Sequence, residues 1–175
     1  MNPELIAILR DNMEDALQIL IDNGKETLRE QGHVDTGKLE RSFEQKIEVT
    51  VNGVITGDVL VEDYAEDLDQ GVPASQVKFT SKLFNDLLAW SGRKKSGLGE
   101  TERRKFVTST IRKAQKTGFP TPGSLKYSKT GKRTGWIGET IKKSEPDIEK
   151  VFILTKFFNI LIDNVVADVT QAINA

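Results

Sequence analysis

VDTGKLERSFEQKIEVTVNGVITGDVLVEDYAEDLDQG, residues 34–71, holds the one clear change of hydrophobic period in the chain. From Phe43 onward the apolar residues Phe43, Ile47, Val49 and Val51 alternate with Glu44, Lys46, Glu48 and Thr50, the period of a strand with one dry and one wet face. Asn52-Gly53 then turns the chain back through Val54 to Val61, so residues 43–61 are expected to form a β-hairpin. A two-residue turn would set Val49 against Thr56 and Ile47 against Asp58. That splits the apolar face, because a slip of one residue moves every side chain to the other side. An odd-length loop with Gly53 in a left-handed conformation restores the face, aligning Val49 with Ile55, Val59 and Val61 and implying a bulge at Gly53.

Outward from this stretch the pattern is helical. Asn2-Pro3-Glu4 supplies a cap, a first-turn proline and an acid at the positive end of the dipole. Leu5, Leu9, Met13, Leu17, Leu20, Ile21 and Leu28 then predict a long amphipathic helix to about Glu30, ended by Gly32. Asp35-Thr36-Gly37 begins a short helical turn through Lys38 to Ser42, with Asp35 or Thr36 as its cap. After the hairpin, Tyr64 to Gln70 is short and acidic and closes at Gly71. Leu83, Phe84, Leu87 and Leu88 mark a helix that Thr80 or Ser81 caps and Gly92 ends. A further helix, about Thr101 to Thr117, carries the stripe Phe106, Val107, Ile111 and Ala114. Gly118 to Gly135 is basic, rich in glycine and proline and without an acid, a composition that does not order itself alone. Ser144-Glu145-Pro146-Asp147 has the form of a capping box leading into a C-terminal helix over 144–175, with Ile148, Phe152, Phe158, Leu161, Ile162, Val165, Val169 and Ile173 on one broad face. The surplus at Phe157 and Ile160 fits packing on a second chain. Lys156, Asn159, Asp163, Asn164 and Asp168 interrupt this run too often for a membrane span, which needs roughly 20 nearly unbroken apolar residues.

The 175 residues suit one domain, with 34–71 as its central motif, 72–135 as an excursion and 144–175 as a closing helix. The expected fold class is α+β: a long N-terminal helix packed on a small antiparallel sheet, a helical excursion and a C-terminal helix. There is no cysteine, which excludes disulfides, thiolate metal sites and a cysteine nucleophile, and His33 is the single histidine. Acids appear too early in the first fifteen residues for a secretory signal, so a cytoplasmic start is expected. Net charge is −1, but it is segregated: residues 1–92 hold 8 basic and 18 acidic side chains, 93–143 hold 15 and 3, and 144–175 hold 2 and 5. The blocks therefore carry −10, +12 and −3. Such a layout serves either nucleic-acid binding by the basic part or docking of one copy's basic part on the acidic part of the next.

Several motifs have plainer explanations than chemistry. Asp35-Thr36-Gly37 is the triplet of aspartic proteases, but it lacks the apolar strand that positions the aspartate there, and a helix-capping turn accounts for it. Ser75 to Lys78 and the Ser124-Leu125-Lys126 stretch echo the S-x-x-K of penicillin-binding enzymes without the rest of that set. Asp63, Glu66, Asp67 and Asp69 lack the spacing of a known cation loop, so an acidic surface is expected and no metal or other cofactor. Lys and Arg of the basic block neutralise phosphates, with Phe119, Tyr127 and Trp136 interleaved as stacking platforms would be. A basic inter-subunit arm has the same composition.

The ordered combination of Val34-Asp35-Thr36-Gly37, Leu39 and Ser42, a hairpin, then Tyr64-Ala65 and Gly71 resembles the tail-completion and minor tail-component proteins of tailed bacteriophages. Their pattern is similar to a "v-D-T-G-x-L-x-x-S" turn, a hairpin and "Y-A-x-x-x-x-x-G". The match covers Val34 to Gly71, and the excursion of 72–135 is longer than the resemblance leads one to expect. The resemblance implies a non-enzymatic virion protein that forms a homo-oligomeric ring at the neck or head-proximal tail end. It implies portal, adaptor and tail proteins as partners, packaged double-stranded DNA in the channel, and residence in the host cytoplasm during assembly. Asp35, Thr36, Gly37, Leu39, Ser42, Tyr64, Ala65 and Gly71 are then structural motif residues. Lys126, Lys129, Lys132, Arg133 and Trp136 belong to an arm expected to be held by a neighbouring copy, a partner ring or DNA. The alternative is a small nucleic-acid-binding or packaging accessory protein that uses the 93–143 block directly.

Overall fold

The computed structural model describes residues 3–154, and the cap at Asn2 and the apolar face beyond Leu154 lie outside them. The fold is α+β: α1 (Pro3–Glu30), α2 (Lys38–Arg41), β1 (Glu44–Val49), β2 (Ile55–Leu60), α3 (Ala65–Gln70), α4 (Ser81–Lys94), α5 (Glu100–Thr117) and α6 (Trp136–Leu154). Two 3-10 turns, Ala74–Gln76 and Pro122–Tyr127, lie in the connections. The contacts group into two compact units. One comprises the chain up to Thr27, Arg41–Glu62 and the chain from Ile137; the other comprises Leu28–Glu40 and Asp63–Trp136.

The first unit is built on α1 and the hairpin. Strands β1 and β2 pair antiparallel in the register Val49↔Ile55, Ile47↔Gly57 and Gln45↔Val59. Thr50 N–H donates to Val54 O at 2.9 Å and Gly53 N–H to Thr50 O at 2.9 Å, which closes a three-residue loop with Gly53 at φ +76°. The odd-length loop is therefore the one formed, because it alone keeps Ile47, Ile55 and Val59 on one half-buried side. Gly57 lies in the middle of that side: a Cβ there would stand 2.7 Å from Met13 Sδ and 3.0 Å from Leu17 Cδ1. The ribbon can approach α1 closely only because position 57 lacks a side chain. Ala16, Leu17 and Ile21 of α1 are buried in this unit. Val51, expected on the dry face, stands fully exposed at the hairpin tip, with Val49 and Val54 also exposed beside it.

The start of α6 differs from expectation. It begins at Trp136, and Pro146 lies inside it rather than in its first turn. Ser144 is wholly buried and caps nothing: its hydroxyl donates to Thr140 O at 2.8 Å and accepts from Asn23 Nδ2 at 3.0 Å. Gly135, at φ +73°, breaks the preceding loop and lets the helix begin one residue later.

In the second unit α5 buries Val107, Ile111 and Ala114, the last two with no exposed surface. Thr80 caps α4, its hydroxyl accepting from Leu83 N–H at 3.1 Å. That helix runs past Gly92 to Lys94, so Gly92 does not end it. Trp90 of α4 stacks on Phe106 of α5, centroids 6.3 Å apart. Glu102 accepts from Gly99 N–H at 3.0 Å, half of a reciprocal cap at the start of α5.

Candidate functional site

The motif residues perform structural work. Gly37 adopts φ +72°, and Thr36 Oγ1 accepts from Lys38 N–H at 3.3 Å, so Thr36 supplies the cap. Asp35 is occupied elsewhere: its carboxylate pairs with Arg93 and lies 3.8 Å from Lys94 Nζ. Leu39 is buried, and Ser42 Oγ accepts from Glu62 N–H at 3.2 Å, joining the two ends of the hairpin. Tyr64 is partly exposed, with Lys38 Nζ 6.0 Å from its ring centre. Ala65 is buried and its carbonyl accepts from Trp136 Nε1 at 3.2 Å. Gly71 sits at φ +75°, ψ 173°, a region that essentially only glycine occupies.

The arm from Gly118 to Gly135 is held by its own chain, contrary to the expectation from composition. Val72 and Phe119 exchange both backbone hydrogen bonds at 2.8 Å. Lys129 N–H donates to Glu30 O at 2.7 Å, Gly135 N–H to Asp69 O at 2.8 Å, and Arg133 Nη2 to Gly32 O at 3.0 Å. These ties are hydrogen bonds to main-chain carbonyls, so an estimate from apolar content misses them. Glycines make them possible: a Cβ on Gly71 would stand 2.6 Å from Phe119 O, and one on Gly118 2.6 Å from Val72 O. Trp136, at 3 % exposure, and the half-buried Arg133, bonded to Gly32 O, are therefore tied to their own chain rather than free in an outward-facing arm. Lys126, Lys129 and Lys132 are exposed.

Within this unit lies a cavity of about 390 Å³, its wall formed mostly by apolar side chains including Leu68, Leu83, Leu87, Trp90 and Phe119. His33 and Arg133 stand at its polar side. Neither ring nitrogen of His33 is reached by solvent or joined by a hydrogen bond of normal geometry. Burial, and then the neighbouring Arg133 charge, push His33 down to about 4, while the Arg133 carbonyl and Asp69 act weakly the other way. Burial likewise draws Arg133 below its ordinary value. The imidazole is thus held neutral at pH 7, with both of its nitrogens buried.

Tyr127 also lines the cavity. Lys95 Nζ donates to its hydroxyl at 3.1 Å and lies 5.6 Å from its ring centre, with Lys126 Nζ at 5.2 Å. The Lys95 hydrogen bond, helped by the charges of Lys95 and Lys126, draws the phenol below its usual range. Of the three expected stacking platforms, Trp136 is buried, Phe119 is half-buried in the cavity wall, and Tyr127 is engaged by two ammonium groups. Asp63, Glu66, Asp67 and Asp69 do not gather: no group of three or more metal-competent side chains occurs among the described residues. No helix among them is long and apolar enough to cross a membrane.

Comparison with family models, curated proteins and solved structures finds no match for this chain. The function therefore has to be argued from the motif residues, the charge layout and the geometry alone.

Proposed function

We propose that this chain is a virion structural protein of a tailed phage, forming a ring at the neck or head-proximal tail end that joins portal or adaptor proteins to the tail around the DNA channel. The observation that carries the reading is the ordered motif itself: a D-T-G turn, a hairpin, then Tyr-Ala and a glycine six residues after Ala65. Its residues support a scaffold role. Thr36 caps, Leu39 and Ala65 are buried, Ser42 ties the hairpin ends, and Gly71 occupies a glycine-only conformation against Phe119 O. Segregated charge adds support, because a heterologous ring pairs two different surfaces of adjacent copies, and acidic and basic blocks on one chain supply such a pair.

Native mass spectrometry of the purified protein, alone and with portal, adaptor and tail proteins of a phage that encodes it, tests the reading. A single closed oligomer, or incorporation into a neck complex, is the expected result. A monomer under every one of these conditions would overturn it. The second reading, a nucleic-acid-binding accessory protein, is favoured by the exposed cations of α5, and DNA binding by a protein that stays monomeric is its signature.

A further inference from the structure

We infer that the outward face of α5, continued by the turn at residues 122–127, is a docking surface for the phosphate backbone of duplex DNA. With Val107, Ile111 and Ala114 turned into the core, Lys105, Ser109, Arg112, Lys113 and Lys116 fall on the opposite, exposed side of the helix. From Lys105 to Lys116 the helix rises about 16 Å, over which one DNA strand presents roughly five phosphates. Lys113 Nζ comes within 3.6 Å of where a Cβ on Gly123 would lie, so α5 is continuous with the turn that carries Lys126.

Several basic side chains of the chain are paired with acids, as in Arg29–Glu40, Lys46–Glu48, Lys82–Asp86, Arg93–Asp35 and Lys143–Glu26; on this face the cations stand close together along one helix without such partners. Lys105, Arg112, Lys113, Lys116, Lys129 and Lys132 form no ion pair among the described residues. Acids occur in α5 only at Glu100 and Glu102 in its first turn, and Glu100 is taken by Arg104 at 2.9 Å.

Two observations weigh against a protein partner and against single-stranded nucleic acid. A protein partner, such as the acidic block of a second copy, needs an apolar centre to its interface; α5 carries none of the exposed large hydrophobic residues, and the turn adds only Leu125 and Tyr127, the latter engaged by Lys95 and Lys126. Single-stranded nucleic acid needs free aromatic faces, and Phe119, Tyr127 and Trp136 are buried or already engaged. What remains is a polar, cationic face with small hydroxyls, suited to phosphates and blind to base sequence. Naming duplex DNA among polyanions rests on the neck reading; the cationic face itself does not.

Fluorescence anisotropy with a labelled random-sequence duplex of about 20 base pairs, at about 50 to 200 mM salt, tests the inference. With about five phosphates neutralised, affinity should fall roughly 500-fold across that range. The triple variant K105Q/R112Q/K116Q should keep the wild-type melting temperature, bind at least about tenfold more weakly at low salt, and lose about 3 from the salt slope. Undetectable binding at about 50 mM salt, or a triple variant that binds as the wild type does, overturns the inference. So does a triple variant whose oligomer falls apart in native mass spectrometry while the wild type shows no affinity for DNA, because the face then docks on protein. If the wild type binds DNA as described but never oligomerises, this inference stands and the ring reading fails.

Discussion

Acid should loosen the second unit through one residue, His33. Its folded-state value lies at about 4 against an ordinary 6.5, because burial and Arg133 both oppose a charge on the ring. The unfolded chain therefore binds a proton that the folded chain refuses between those two values. Stability is full above about pH 6.5 and declines as pH falls toward 4, below which this residue adds no further loss. A shift of this size corresponds to about 3 kcal/mol, and partial access of solvent to the ring reduces the expected loss to about 1–2 kcal/mol. Urea unfolding followed by tryptophan fluorescence suits the measurement, since Trp90 lines the same cavity as His33 and Trp136 is buried in the same unit. The His33→Gln variant is the control. It should be somewhat less stable at neutral pH, and its stability should change less than the wild type's between about pH 7 and pH 4.5. Parallel pH profiles for the two proteins would show that the imidazole is not held neutral by its surroundings, and the reasoning would fail.

Gly71→Ala should cost about 1–3 kcal/mol from backbone strain alone, with more from the clash on Phe119 O, and thermal melting checks it. K126Q/K129Q/K132Q should leave the melting temperature unchanged, whereas Arg133→Gln should lower stability by about 1–2 kcal/mol through the lost bond to Gly32 O; equal effects would refute the division of the arm into surface lysines and a tied arginine. Asp35→Ala and Thr36→Ala should each cost about 0.5–1 kcal/mol. Only the Asp35 contribution should shrink as salt is raised, because it is an ion pair and the Thr36 cap is not, and denaturation at two ionic strengths separates them.

Where side-chain periodicity dictates structure, the sequence was readable. The alternation from Phe43 and the odd-length loop at Gly53 led to the observed register, and the stripe Val107, Ile111 and Ala114 led to the buried face of α5. Main-chain pairing between distant residues leaves no such mark. The exchange between Val72 and Phe119 and the bonds to Glu30 and Asp69 join backbone groups, which every residue carries, and Arg133 reaches the Gly32 carbonyl, which no side-chain pattern announces. The trace they leave is the glycines at 32, 71 and 118, each required where one strand of chain meets another carbonyl. The capping-box pattern at Ser144 misled because a buried serine that bonds back to Thr140 has the same identity as a cap. For the site, the positions of Lys126, Lys129 and Lys132 on the surface followed from charge, but the burial of Trp136 did not, since an aromatic residue among lysines reads equally as platform and as anchor.

The long-range ties of the second unit have a consequence for how the chain is made. Arg133 meets Gly32 across 101 residues, and Trp136 meets Ala65 across 71. At synthesis rates of about 5–20 residues per second, the turn after α1 leaves the ribosome about 5–20 s before the arginine that clamps it. Until then Leu28 and Leu39, buried in the finished protein, have no complete enclosure. A nascent chain stopped at Thr117 carries α4 and α5 yet lacks every contact made by residues 118–136, so chains truncated there should be held by chaperones or degraded while those extending past Trp136 escape.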